Sequence, residues 1–330
     1  MASAVPEDAI GGYLPLELGV GGPDHLPAGG RRFQSGRGAF LALLQAVRPA
    51  AVWLPHYLCD SMAQPLAQAG LTTRRYGLDP EFLPDAPQRL APDELLLHVN
   101  YFGLLGAVQQ RLLERYDPTQ LVFDNSQAWF APTRSVLATI YSPRKFLGLP
   151  DGGILIAPQV ALPEFERDAG SLARCTHLLK RHAAGAESGY ADFGAAEASL
   201  DGLPPLAMSA LTERLLEAAD GRRVRERRRE NFALLAQAFD SVNALRWSLT
   251  ADDVPLCYPL LAARAGVRDA LRAQRIYTPC YWPELLDGRP LPAREMALAQ
   301  RLVALPLDQR YDAATLSRRL LPVLRPLLAP

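Results

Sequence analysis

The sequence predicts an α/β fold, with a large domain built on a mostly parallel sheet flanked by helices and a smaller C-terminal α+β domain. Two observations predict it. Short apolar runs of strand length alternate with helix-length segments through the first half of the chain, a pattern typical of parallel sheets with crossover helices. From about residue 206 a long stretch with helical spacing replaces this alternation. We therefore expect an N-terminal arm over 1–30, a large domain over 31–225 and a small domain over 226–330.

The composition agrees with this fold class. A chain of 330 residues is long enough for two such domains, and a hydrophobic fraction of 49% suits a globular enzyme. Basic and acidic residues number 35 each, so no overall charge favours nucleic acid or an anionic membrane as a partner. No apolar run approaches the ~20 residues that span a bilayer, and the N-terminus lacks the pattern of a secretory signal. The four cysteines are scattered, which favours free thiols in a reducing cytoplasm.

The elements of the first half follow one another in regular order. Each predicted strand is a short apolar run: AAVWLP (50–55), TTRRYGL (72–78), LLLHVN (95–100), LVFD (121–124), VLATIYS (136–142) and GILIA (153–157). The segments between the earlier strands have helical spacing or a glycine stop: FLALLQAVR (40–48), SMAQPLAQAG (61–70) and AVQQRLLERY (107–116).

The second half has a different organisation. Residues 206–239 keep apolar positions at helical spacing, with Gly221 as a break or kink. The tail beyond residue 240 has separate strand and helix signals, and its last helix is predicted over 313–328. These signals indicate the smaller α+β domain.

Three polar features could meet a ligand beyond the carboxyl ends of the strands, where ligands bind in open parallel sheets. SGRGAF (35–40) is a glycine turn that leads into a helix, whose N–H groups and dipole could hold a phosphate; the alternative is an ordinary turn with a serine cap. Asp124 ends the LVFD strand and could meet a ligand or cap a turn. Lys145 follows the next strand, although isolated lysines are usually solvated. Each signal is weak by itself, but their order along the chain is specific.

Two other features have simpler explanations. RRVRERRRE (222–230) could bind nucleic acid, but interspersed glutamates and helical spacing favour a solvated helix face. Cys175, His177 and His182 match no common zinc spacing, so we interpret them as surface helix residues and expect no metal site.

The ordered motifs resemble the DegT/DnrJ family of pyridoxal-phosphate (PLP) aminotransferases, which have fold type I and act mainly on nucleotide-linked keto sugars. The resemblance runs from about residue 30 to 325. It rests on SGRGAF at the family's phosphate turn, VNYFG (99–103), FDNSQA (123–128), YSPRKFLGLPDGG (141–153), MSALTERLL (208–216), RIYTPCYWP (275–283) and ALPLDQRYDAATLSRRL (304–320).

The resemblance implies a seven-stranded type of sheet and a role for each matched residue. Lys145 stands at the Schiff-base lysine, Asp124 at the partner of the pyridine nitrogen, and Gln127 near the 3-hydroxyl. The remaining cofactor-binding residues implied are Ser35, Gly36, Arg37, Tyr57 and Ser142. Gly152 and Gly153 are expected to let the backbone pass close to the lysine loop, where side chains would crowd it.

The chain departs from the family at several places, among them Asp151, which replaces a glutamate after the lysine. Cys59 stands where an aromatic residue stacks on the pyridine ring, so His56 or Tyr57 would have to serve. Ile140 replaces a small polar phosphate ligand, for which Thr139 or Ser142 could substitute. Arg37 replaces the threonine of the phosphate turn, and its fork could bind phosphate. PLAM (205–208) replaces N-x-R-M, whose asparagine reaches the partner subunit's cofactor phosphate.

The resemblance thus implies a cytoplasmic, homodimeric aminotransferase that works by a ping-pong cycle. Its amino donor would be an amino acid, with glutamate as the first candidate, and its acceptor a keto sugar linked to a nucleotide, as in the family. Two alternatives stay open: a degenerate relative with a regulatory or binding role, and an aminotransferase for a carbonyl compound that is not a sugar.

Overall fold

The alternating segments of the first half form one mixed sheet in the computed structural model, which describes residues 18–19, 21–22 and 25–328. Most of the predicted N-terminal arm lies outside these residues. The sheet contains eight strands: β1 (Arg31–Phe33), β2 (Ala51–Pro55), β3 (Thr72–Leu78), β4 (Pro84–Asp85), β5 (Glu94–Val99), β6 (Leu121–Asn125), β7 (Ala138–Tyr141) and β8 (Gly153–Ile156). Their order across the sheet is β1-β8-β7-β6-β5-β2-β3-β4.

The middle of the sheet is parallel, as predicted. Strands β7, β6, β5, β2 and β3 run in one direction, whereas β8, β1 and β4 pair antiparallel at the two sides. Every residue of β5, β6, β7 and β8 is buried, so these strands are covered on both faces. The sheet has eight strands instead of seven because the short β4 adds an edge beyond β3.

Helices flank the sheet and make up much of the rest of the chain. They are α1 (Gly36–Val47), α2 (Asp60–Ala69), α3 (Gly106–Arg115), α4 (Ser171–Arg174), α5 (Thr176–Ala184), α6 (Tyr190–Ala198), α7 (Ala210–Glu217), α8 (Gly221–Phe239), α9 (Val267–Ala273), α10 (Ala293–Arg301), α11 (Ala313–Arg319) and α12 (Leu321–Leu328). Among the described residues, no helix is long and apolar enough to cross a membrane.

Local sequence explains where the first two helices begin and end. The Ser35 side chain caps α1 by accepting a hydrogen bond from the Gly38 N–H at 3.0 Å. Gly70 ends α2 in the left-handed conformation at φ 67°, which glycine adopts without strain. The helix–strand alternation predicted for this half is confirmed.

The C-terminal part contains a second sheet of two antiparallel strands, β9 (Tyr258–Leu261) and β10 (Leu302–Leu305). The predicted break at Gly221 is the start of α8. The last predicted helix is two helices, α11 and α12, because Pro322 lacks an N–H and fits best in the first turn of a new helix.

Helix α8 corrects the prediction of a fully solvated RRVRERRRE face. Arg228 is only 2% exposed, and it lies on the buried stripe that includes Val224, Phe232 and Leu235. The predicted boundary between residues 225 and 226 falls inside this helix. A single hydrophobic core includes residues of both sheets, so the division into two domains stays a prediction.

Candidate active site

The candidate site lies where β6 and β7 end. Asp124 is the fourth residue of β6, and Lys145 lies in the short 3-10 turn (Pro143–Lys145) that follows β7. Because β6 and β7 are parallel neighbours, both residues reach the same edge of the sheet.

Lys145 is half-buried, and its Nζ forms no hydrogen bond or ion pair with any described residue. The chain has 35 basic residues other than histidine, and only two of them, Lys145 and Lys180, are lysines. Lys180 Nζ lies 2.8 Å from Asp192 Oδ2, and its side chain is half exposed. Arginine could replace a lysine that only carries charge, whereas a reactive amine requires lysine.

Asp124 is a buried carboxylate, only 3% exposed. Its Oδ1 accepts a hydrogen bond from the Ser126 N–H at 2.9 Å, and its other oxygen has no hydrogen-bond partner in the described part of the chain. Burial raises the pKa of the neighbouring Cys59 thiol; the charge of Lys145 opposes that shift and the charge of Asp124 adds to it. Both charges therefore act on the Cys59 thiol from the same edge of the sheet.

The N-terminus of α1 faces these strand ends. A Cβ atom on Gly36 would lie 3.5 Å from Ser126 Oγ, 3.7 Å from Ile140 Cγ2 and 4.0 Å from Ser142 Cβ. Gly36 thus leaves a small cradle between the first turn of a 12-residue helix and two hydroxyl-bearing residues. N–H groups and hydroxyls in such a place suit a phosphate group.

The glycine pair after the lysine turn, Gly152 and Gly153, packs closely against the start of α1. A Cβ atom on Gly153 would lie 2.3 Å from the Ser35 carbonyl carbon and 2.4 Å from the Gly36 nitrogen. Gly152 has φ 121° and donates its N–H to the Gln34 carbonyl at 2.7 Å. The close approach is therefore made chiefly to the start of α1, which differs from the predicted contact with the lysine loop.

Gln127 is 1% exposed, and its Oε1 accepts a hydrogen bond from the Phe102 N–H at 2.8 Å. This bond fixes the orientation of the side-chain amide. Its Nε2 makes no hydrogen bond with the described residues, so it can donate to an oxygen of a ligand.

Tyr57 is not placed as predicted. Its ring is fully buried and packs 5.5 Å from the Tyr101 ring and 5.0 Å from the Trp282 ring, between centroids. Burial raises its pKa well above the usual value. The ring presents no face to a ligand, so the prediction that Tyr57 stacks on a cofactor is at odds with the structure.

Arg37 also has a partner other than the one predicted. Its guanidinium forms an ion pair with Asp201 and lies 3.5 Å from Gln64 Oε1. The ion pair leaves Arg37 less able to bind a phosphate than the sequence suggested. Ser35, Gly36, Asp124, Gln127, Ser142 and Lys145 do come together around the strand ends.

The structure separates Thr139 from Ser142 as the residue whose hydroxyl could bind a phosphate in place of Ile140. Thr139 is adjacent to Ile140 in β7, and alternate side chains of a strand point to opposite faces, so Thr139 faces away from Gly36. Ser142 faces it. Ser126 was missed by the sequence reasoning, although a serine directly after a strand-end aspartate in DNSQA was a usable signal.

Glu197 of α6 borders the same site. Arg144, next to Lys145, forms a two-pronged ion pair with Glu197, with Nη2 to Oε2 at 2.9 Å. Although burial opposes it, hydrogen bonds from Arg144 lower the pKa of Glu197, and the charges of Arg37 and Lys145 act in the same direction. Helix α6 therefore lies against the lysine turn.

The residues considered for a metal site lie on or beside α5. His177 packs its ring 5.5 Å from Phe193, and α5 has no fully buried residue. No group of three or more His, Cys, Asp or Glu residues that could hold a metal ion occurs within the described ranges.

Comparison with known proteins identifies the fold. No protein-family model and no curated protein matches the chain. Among solved structures, it is similar to a DegT DnrJ EryC1 StrS aminotransferase from Brucella abortus, with 18% identity, a TM-score of 0.63, and 91% of this chain and 86% of the other covered.

Two further structures agree. DesV of S. venezuelae, in complex with a ketimine intermediate, has 16% identity and a TM-score of 0.64, with 93% of this chain and 87% of that chain covered. NtdA from Bacillus subtilis, with bound cofactor PMP, has 14% identity and a TM-score of 0.59, with 91% and 73% covered. The chain therefore has the fold of these aminotransferases, and the predicted fold type I is confirmed.

Proposed function

We propose that the protein is a PLP-dependent aminotransferase of the DegT/DnrJ type. The observation that supports this most strongly is the placement of Lys145, one of two lysines in the chain, at the same sheet edge as the buried Asp124 carboxylate and the N-terminus of α1. PLP has an aldehyde, a pyridine nitrogen and a phosphate, and these three features of the site match its three groups.

The residues of the site fit the cofactor. Ser35, Gly36, Ser126 and Ser142 would hold the phosphate at the start of α1, where the helix dipole favours a negative charge. The unbonded oxygen of Asp124 would accept a hydrogen bond from the pyridine nitrogen, and the Gln127 amide would donate to the 3-hydroxyl. When bound, PLP supplies an aldehyde that captures amines and a ring that accepts electrons from the reacting carbon.

Lys145 and Asp124 would have separate tasks. The Lys145 amine would bind the aldehyde carbon, be displaced by the amine of the substrate, and then move a proton at the substrate carbon. Asp124 would keep a proton on the ring nitrogen. An ion pair at ~4 Å in partly shielded surroundings contributes about 4 kcal/mol, which is enough to hold that proton.

The substrates we propose are an amino acid donor, with glutamate tested first, and a keto sugar linked to a nucleotide as acceptor. The motifs shared with the sugar aminotransferases support this acceptor. A second candidate, a carbonyl compound that is not a sugar, is favoured by PLAM (205–208). This segment offers no asparagine: Met208 is fully buried, and the Leu206 N–H donates to Gln34 Oε1 at 3.0 Å.

We also propose a homodimer in the cytoplasm. Among the described residues, four of the eight exposed large hydrophobic side chains lie on α4 to α6, namely Leu172, Leu179, Tyr190 and Phe193. An apolar surface of this kind is typical of a protein interface, and α6 also contacts the lysine turn through Glu197. The four cysteines are all free thiols, as suits a reducing compartment.

The function is tested by a two-stage reaction. Glutamate alone should convert the PLP form to pyridoxamine phosphate and release one equivalent of keto acid per site, because a ping-pong enzyme stores the amino group on its cofactor. A keto-sugar nucleotide should then restore the PLP form. Restoration only by other carbonyl compounds would reject the sugar assignment, whereas failure of every common amino donor would leave a cofactor-binding protein.

A further inference from the structure

The residue that follows Lys145 is held from the C-terminal part of the chain. Phe146 is 2% exposed and ends the 3-10 turn on which Lys145 lies. Its carbonyl accepts a hydrogen bond from Gln309 Nε2 at 2.8 Å and a longer one from Arg228 Nη2 at 3.5 Å. Two side chains far away in sequence therefore contact the backbone next to Lys145.

Arg228 connects several segments at this point. Its Nη1 donates to the carbonyls of Pro255 at 3.2 Å and Leu256 at 2.8 Å, and its Nε donates to Gln309 Oε1 at 3.2 Å. The guanidinium carbon lies 4.5 Å from the centre of the Phe146 ring, a cation–π distance. One side chain thus joins α8, the 255–256 segment, the 308–310 turn and the lysine turn.

No carboxylate within the described residues forms an ion pair with Arg228. The nearby Asp308 is bonded through both oxygens to Arg310, at 2.6 and 2.8 Å. Burial lowers the pKa of Arg228 to about 10, and the charge of Asp308 opposes the shift, so the guanidinium stays charged at neutral pH. A charge buried among neutral acceptors is costly, and an apolar residue would fill the same space at lower cost.

We propose that Arg228 is a positioning residue for Lys145, which fastens the lysine turn to α8 and the C-terminal segments through Phe146. It acts on the reaction through Phe146 and does not touch the reacting atoms. The consequence for amino transfer rests on the proposed function, whereas the effect on the Lys145 turn does not. Gln309 is the second member of this contact, which we call the Phe146 clamp.

The first test uses the cofactor-free protein. Competitive acylation compares the labelling of Lys145 with that of Lys180, which is an internal standard because it is the only other lysine. In Arg228→Met the Lys145/Lys180 ratio should rise at least about fivefold, since the turn opens locally when its clamp is lost. Arg225→Met is the matched control. Arg225 lies one turn earlier on α8, with its guanidinium carbon 5.0 Å from the centre of the Phe130 ring, and its substitution should leave the Lys145/Lys180 ratio unchanged.

The second test uses the PLP-loaded protein and the donor half-reaction. Arg228→Met should lower kcat at least about tenfold with little change in KM, because a displaced amine impairs proton transfer more than substrate binding. Arg228→Lys keeps the charge and should recover part of the loss. Gln309→Met removes the stronger contact to the Phe146 carbonyl while keeping Arg228, and it replaces Arg228→Met if that variant does not fold.

The outcomes are separable. An unchanged Lys145/Lys180 ratio in folded Arg228→Met, or in Gln309→Met where the arginine variant does not fold, overturns the proposal. A raised ratio in a protein that binds no PLP would support the clamp and reject the proposed function. Equal effects of Arg225→Met and Arg228→Met would assign both arginines to general stability and would also overturn the proposal.

Discussion

We expect Lys145→Met to abolish stable attachment of PLP and to lower amino transfer by at least about 10³-fold, because the variant would lose both the amine proposed to bind the aldehyde and the group proposed to move the proton. Methionine has a similar length and suits a half-buried position, so the fold should be retained. The measurements are the amino-donor half-reaction and the amount of PLP that survives gel filtration after borohydride reduction.

Lys180→Met provides the control. Lys180 is half exposed on α5 and bonded to Asp192, so its loss should change the half-reaction by less than about twofold, as is usual for surface substitutions. Normal turnover in Lys145→Met would contradict the assignment of the reactive amine. Loss of turnover in both variants would indicate a general effect of removing lysine.

Asp124→Asn should lower the rate of proton abstraction by roughly a thousandfold, because it removes an interaction of about 4 kcal/mol with the ring nitrogen. The asparagine oxygen can still accept the hydrogen bond from the Ser126 N–H, so the turn after β6 should be preserved. PLP should still attach to Lys145, since that residue is unchanged. Single-turnover measurement of donor conversion gives the rate directly.

Asp124→Ala separates the charge from the cap. The alanine variant loses both the carboxylate and the acceptor for the Ser126 N–H. It should therefore react at least as slowly as the asparagine variant, and its free energy of unfolding should be lower by about 1 kcal/mol. A fast asparagine variant beside an unstable alanine variant would mean that Asp124 only caps the turn.

The strands and early helices could be predicted because local sequence determines them. LLLHV in β5 is buried throughout, and Ser35 and Gly70 are residues that begin and end helices for local reasons. The ends of parallel strands also share one edge, so the approach of Asp124 and Lys145 follows from the strand order.

The positions where the structure differs from the sequence prediction depend on contacts between distant segments. Tyr57 lies two residues beyond the end of β2, but its ring packs against Trp282 and Tyr101, and nothing in the local sequence indicates this. The ion pair between Arg37 and Asp201 likewise joins residues that are far apart in sequence.

Arg228 is a different case, since the sequence contained a signal for its burial. It lies four residues after Val224 and four before Phe232, which places it on the apolar stripe of α8. The prediction of a solvated face rested on the charges of the RRVRERRRE segment and did not use the position of Arg228 on the helix. A charged residue on an apolar stripe indicates a buried partner or a functional contact.

The most direct test of the account is to locate the cofactor on the chain. The wild-type protein is loaded with PLP, reduced with borohydride and digested, and the modified peptide is identified by mass spectrometry. Because the chain has only two lysines, the result is close to binary. We expect one pyridoxyl group per chain, attached to Lys145. A modification confined to Lys180, or no modification at all, would contradict it.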